Sequence, residues 1–231
     1  MAANRWMASI GLTVMVGCAP VPPAPSAPEA AQPPALPSAQ AARTYAIDAA
    51  ASTLHILVYR GGTLARLGHN HVVSSRSLQG SIWRGGALAG SGFDITVPVN
   101  DLIVDDSAAR AAEGEDFAAS VSQEAKEGTK ANMLRETLLD GAHFPDIRIV
   151  SVSLQGDANS PTVVTAMRIK NQTREITLPV TLQFTDASLR VKGEFDIKQT
   201  DFGITPLSVA LGALQVVDTV RIKFELVARA Q

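Results

Sequence analysis

Thr219-Val220-Arg221-Ile222-Lys223-Phe224-Glu225-Leu226 decides the fold class. Val220, Ile222, Phe224 and Leu226 alternate with Arg221, Lys223 and Glu225. Successive side chains of a strand point to opposite faces, so a period of two describes a strand with one face in a core and one in water. A helix would scatter these residues around its axis. The same reading extends upstream. Strands are expected at Thr44–Asp48, Ser52–Tyr59, Ser77–Trp83, Phe93–Val99, Asp146–Gln155, Pro161–Lys170, Glu175–Asp186 and Ser188–Lys198. In Ser52–Tyr59, Leu54, Ile56 and Val58 share one face and Thr53, His55, Leu57 and Tyr59 the other. Residues 157–160 and 185–188 carry the Asp, Asn, Ser and Thr of hairpin turns.

One region breaks the pattern. Between Asp106 and Leu139, Ala, Glu, Lys and Gln replace β-branched residues, which predicts helix. Ser120–Glu127 is a helix candidate with Gly128 as its stop, and Asn132–Leu139 a second. Thr205–Val217 is an apolar, Gly-containing loop or short helix. Eight or nine strands with a helical insertion imply an all-β domain closed as an antiparallel β-barrel. A barrel of about eight strands can hold one small ligand.

The domain is expected to span residues 43–231. Ahead of it, Met1 to Cys18 reads as an export signal, with Arg5 as its basic start and an apolar stretch too short to span a bilayer. Met15-Val16-Gly17-Cys18-Ala19 resembles a bacterial lipobox, which implies lipid attachment at Cys18 and anchoring at the periplasmic face of the outer membrane. Eight of the thirteen prolines fall within residues 19–42, a composition that makes a semi-extended tether rather than a core. Cys18 is the sole cysteine, so the domain has neither disulfide nor thiolate chemistry. Net charge is −2 with the signs interspersed, which argues against a nucleic-acid surface.

Leu67-Gly68-His69-Asn70-His71-Val72-Val73 holds two of the four histidines. In an extended chain His69 and His71 share a face and Asn70 takes the other. Three roles are open for this pair together with His143: structural imidazoles, a polar rim for a lipid head group, or a three-nitrogen metal site. His55 reads as a strand residue without a role. Asp105-Asp106 and Glu113-Gly114-Glu115-Asp116 read as a solvated acidic face or helix start. Gly-x-Ser-x-Gly, P-loop and dinucleotide motifs do not occur, so no enzyme and no cofactor is expected.

Five pieces of the chain, taken in order, resemble the YceI-like family. They are Tyr45-Ala46-Ile47-Asp48, then Met133-Leu134 through His143-Phe144-Pro145-Asp146-Ile147, then Met167 to Val180, then Asp201-Phe202-Gly203-Ile204, and finally Val217-Asp218-Thr219-Val220. Where the family has a turn glycine this chain has Asn171, a residue that tolerates a left-handed conformation. The resemblance implies an exported lipocalin-like barrel that sequesters a polyisoprenoid or related long-chain amphiphile. His69, His71, His143, Phe144 and Phe202 are the candidate ligand-binding residues. The partners it implies are a hydrophobic small molecule and a membrane, and a homodimer is compatible with it. The alternatives are a metal-binding protein using His69, His71 and His143, or a docking lipoprotein without cargo.

Overall fold

The computed structural model describes residues 43–231 except Asp186. Residues 1–42, on which the expected signal segment, Cys18 and the expected tether fall, lie outside the described residues.

The strands are β1 (Arg43–Ile47), β2 (Thr53–Val58), β3 (Arg60–Gly61), β4 (His71–Ser74), β5 (Gln79–Arg84), β6 (Gly92–Pro98) and β7 (Ile103–Val104). After two helices, α1 (Ser107–Ala112) and α2 (Gln123–Met133), come β8 (Asp146–Gly156), β9 (Pro161–Ile169), β10 (Gln172–Phe184), β11 (Ser188–Lys198), β12 (Ser208–Val209), β13 (Leu214–Val216) and β14 (Thr219–Ala230). Among the described residues the ring runs β1-β5-β6-β8-β9-β10-β11-β14 and closes through β1–β14, with every pairing antiparallel.

β1 and β2 both pair with the same edge of β14, β1 through Ala228 to Ala230 and β2 through Arg221 to Glu225. They are two halves of one long strand, interrupted where Asp48 Oδ1 accepts the Ala51 N–H. β4 and β5 continue each other likewise, β4 on β2 and β5 on β1. The barrel is therefore an eight-stranded meander in which each strand neighbours the next in sequence.

That topology divides the connections between two ends. One end carries short links, residues 85–91, 157–160 and 185–187. The other carries the long ones: residues 59–70, the insertion 105–145, and 199–218. His69, His71, His143, Phe144 and Phe202 all fall at the long-loop end.

The faces follow the alternation. Val220, Ile222, Phe224 and Leu226 of β14 point inward, and so do Leu54, Ile56 and Val58 of β2. On the outer face Arg221 pairs with Asp196 and Glu225 with Lys192. Leu57 and Tyr59 form a second apolar cluster outside the wall with Val72, Ala109 and Phe117. β8 breaks the alternation at a bulge between Ser151 and Ser153, which shifts the register against β9.

Several expectations are corrected. α2 begins at Gln123 and passes through Gly128 rather than stopping there, because residues on both sides continue the hydrogen-bond ladder. Ser122 caps it by accepting the Ala125 N–H. Past Met133 the chain forms turns instead of a second helix, with Leu139 N–H donating to Met133 O and Asp140 N–H to Arg135 O. α1, capped by Asp106, lies at the start of the region expected to be helical but outside its two named candidates. Residues 205–217 do contain a short 3-10 helix, Ala210–Gly212, but it only links two strands that were not expected: β12 and β13 pair, and β13 pairs with β3. In the β9–β10 turn the left-handed residue is Lys170, with φ of 54°, not Asn171.

Gly80 lies in β5 at φ of 129°, and a Cβ there would stand 2.1 Å from Asp94 O across the pairing with β6. Gly80→Ala is expected to destabilise the barrel by about 1–3 kcal/mol through forced backbone strain. Urea denaturation measures it; an unchanged midpoint contradicts this placement of β5 on β6.

Candidate ligand-binding site

The inward side chains do not fill the barrel. They leave a cavity of about 400 Å³. Leu54, Val73, Ile95, Met167, Val191 and Phe224 represent its wall, which is aliphatic and aromatic on nearly every strand. The volume lies in the range of small-molecule sites, roughly 300–1,000 Å³, and such sites combine an apolar lining with a few placed polar groups. The cavity runs from Gly85-Gly86-Ala87 at the short-loop end to Leu207 and Val216 at the other, where Thr129, Asn132 and Met133 of α2 reach it.

His71 is the polar residue on the inward file of β4, one step from Val73. Its Nδ1 donates to Asp105 Oδ2 at 2.7 Å. Asp105 is 0% exposed and follows β7 with φ of 55°. Its Oδ1 accepts the Val72 N–H at 3.0 Å and Arg110 Nη1 at 2.5 Å. Burial alone would push this carboxyl up, but the bonds from His71, Val72 and Arg110 outweigh it and hold the group below its ordinary value. Arg110, 5% exposed, also donates to Asn70 O and Ala119 O, so one guanidinium ties the histidine stretch to the insertion.

His69 and His71 do share a face, with ring centroids 4.5 Å apart. Asn70 turns away, accepting the Arg60 N–H and donating to Asp116 O. Burial, and then the neighbouring His71, lower the His69 imidazole below its usual value, which favours the neutral ring.

The other candidates are placed differently. Phe202 is buried and lines the cavity at the long-loop end. His143 has its side chain 73% exposed and pairs with Asp140 through Nδ1. Phe144 is half-buried, and neither it nor His143 is part of the cavity lining. The structure thus brings His69 and His71 to Asp105 rather than to His143.

Two further sequence readings change. His55 has a partner: it is buried on the outer face of β2, where its Nδ1 lies 2.6 Å from Glu113 Oε1. Of the acidic residues, Asp106 caps α1 and Glu115 and Asp116 are exposed, as a helix start or solvated face requires, but Asp105 and Glu113 are buried in ion pairs. Asp105 and Arg110 are the residues sequence reasoning missed. Their only signal was Asp105 ending an apolar strand, with Arg110 five residues beyond.

Glu113 gives a pH prediction. Burial raises its carboxyl, but hydrogen bonds from Lys223 and His55 carry it net below the ordinary value of 4.5. A depressed carboxyl stabilises the fold above its unfolded value, and that contribution disappears as pH falls through the folded value. Acid unfolding of the parent should therefore steepen below about pH 4.5. Glu113→Gln should flatten that limb and lower stability at neutral pH; parallel acid curves would exclude a role for this pair.

A model of the YceI-like domain matches residues 45–228. The chain belongs to the YceI-like domain family. Among solved structures, BcnA of Burkholderia cenocepacia superposes with a TM-score of 0.57 at 19% identity, covering 79% of this chain and 99% of BcnA. A mutant of the Campylobacter jejuni YceI protein gives a TM-score of 0.50 at 12% identity, covering 68% of this chain and 83% of its own. At these identities the likeness is one of fold. No curated protein matches. A YceI-like barrel is a ligand-binding fold, and here the fold encloses an apolar cavity.

Proposed function

We propose that this YceI-like protein sequesters the hydrocarbon chain of a polyisoprenoid or similar amphiphile. The observation that carries the reading is the cavity of about 400 Å³, lined by apolar side chains from all around the ring. Nothing polar on the long inward files of β10, β11 and β14 would direct chemistry on a substrate, whereas an aliphatic chain gains about 0.8 kcal/mol for each methylene taken from water. The half-polar end, with His71, Asn132 and Gln199 on its wall, suits a head group. The Cys18 pattern supports export and a lipid anchor at the periplasmic face of the outer membrane, with residues 19–42 as the tether.

Prenyl alcohols of increasing length, titrated into delipidated protein, test the proposal. Affinity should climb with each added unit until the cavity is full, then level off. Equal, weak binding at every length would contradict it.

A further inference from the structure

His69 is not explained by the carrier reading, since it is not part of the cavity lining. Its Nε2 is buried and, among the described residues, has no hydrogen-bond partner. Leaving such a nitrogen unpaired is costly, and each such case in a folded protein calls for a reason. One nitrogen of His69, one of His71 and one carboxylate oxygen of Asp105 lie within 4.8 Å of one another. We infer that His69, His71 and Asp105 form a binding site for a divalent transition-metal cation of the zinc type.

The donor set suits that chemistry. Two imidazoles and one carboxylate are borderline ligands, matched to Zn²⁺ and its neighbours rather than to Ca²⁺ or Mg²⁺, which prefer all-oxygen sites. A tetrahedral ion with bonds of about 2.1 Å holds its ligands roughly 3.4 Å apart, so small side-chain rotations close the set. The nearby cations do not occupy the place: Arg60 Nη1 donates to Gly68 O, and Arg110 binds Asp105 through Oδ1. Asp105 Oδ2 accepts from His71 Nδ1, so an ion that takes this oxygen replaces that hydrogen bond on the imidazole side. The scaffold is rigid, because β4 pairs with β2 and β7, and Arg110 fixes the backbone at Asn70. Three protein ligands leave a coordination position open. The inference concerns this rim alone and stands whatever the barrel holds.

Calorimetric titration of EDTA-stripped protein with Zn²⁺ tests it. The expected result is one saturable ion per chain and a melting temperature that rises with zinc, by mass action. His69→Ala is the informative variant, since among the described residues His69 Nε2 has no hydrogen-bond partner to lose. It should melt like the parent without metal and bind zinc about 100-fold more weakly. His143→Ala should bind as the parent does. Absence of binding to the parent, parental affinity in His69→Ala, or loss of binding in His143→Ala would each overturn the assignment.

Discussion

Arg110→Ala is expected to lower the unfolding free energy by about 3–5 kcal/mol, because it leaves a buried charge without its partner. Asp105 is 0% exposed, and among the described residues the Arg110 guanidinium is its only full positive charge at bonding distance. The same substitution strips donors from Asn70 O and Ala119 O, which fix the histidine stretch and the end of the insertion. For a domain of this length a loss of that size moves the melting temperature by roughly 10 °C. The mechanism has its own signature. If the cost comes from the orphaned carboxylate, adding Asp105→Asn to Arg110→Ala should recover part of it, since the buried charge is then gone. Urea denaturation of the two single variants and the double variant measures the coupling. A loss under about 1 kcal/mol for Arg110→Ala, typical of an exposed pair, would contradict the network described.

The second large effect is on binding. β6 and β11 stand four places apart in the ring of eight, so they face each other across the cavity. Ile95 and Val191 are inward residues of these strands. Ile95→Trp combined with Val191→Trp places two indoles in the space assigned to the ligand chain. Overpacking a filled core costs about 1–3 kcal/mol, but here the added volume meets an unfilled cavity, so the fold should survive at the low end of that range. Prenyl-chain affinity should fall by at least about 100-fold, equivalent to losing the burial of about three to four methylenes. A folded double variant that binds as the parent does would place the ligand elsewhere.

How much of this was legible in the sequence depends on whether each feature is local. The inward files of β2 and β14 could be read from alternation, since Leu54, Ile56 and Val58, or Val220 to Leu226, each repeat with a period of two and the pleat does the rest. The turn at 157–160 was legible because the Asp157 side chain accepts the Asn159 N–H, a bond made within three residues. The limits of α2 were not, because Gly128 looks like a stop until its neighbours hold the ladder together. β12 and β13 escaped notice because their pairing extends to Arg60 and Gly61, far back in the chain.

The site divides in the same way. That His69 and His71 share a face is a matter of spacing. That Asp105, not His143, completes the group depends on β7 pairing with β4 through Val73 and Val104, a contact no local pattern announces. His55 and Glu113 are a parallel case: a strand residue and an acid at the end of α1 meet because the insertion folds back on the outer wall.

The central claim is that the barrel interior is a binding cavity for a hydrophobic chain. Native mass spectrometry of protein purified without detergent, followed by organic extraction of the same sample, tests it most directly. The account predicts a mass above that of the bare polypeptide and an extractable long-chain species near one per protein, absent from the Ile95→Trp, Val191→Trp double variant. A bare polypeptide mass that does not change after exposure to membrane lipid extract would contradict it.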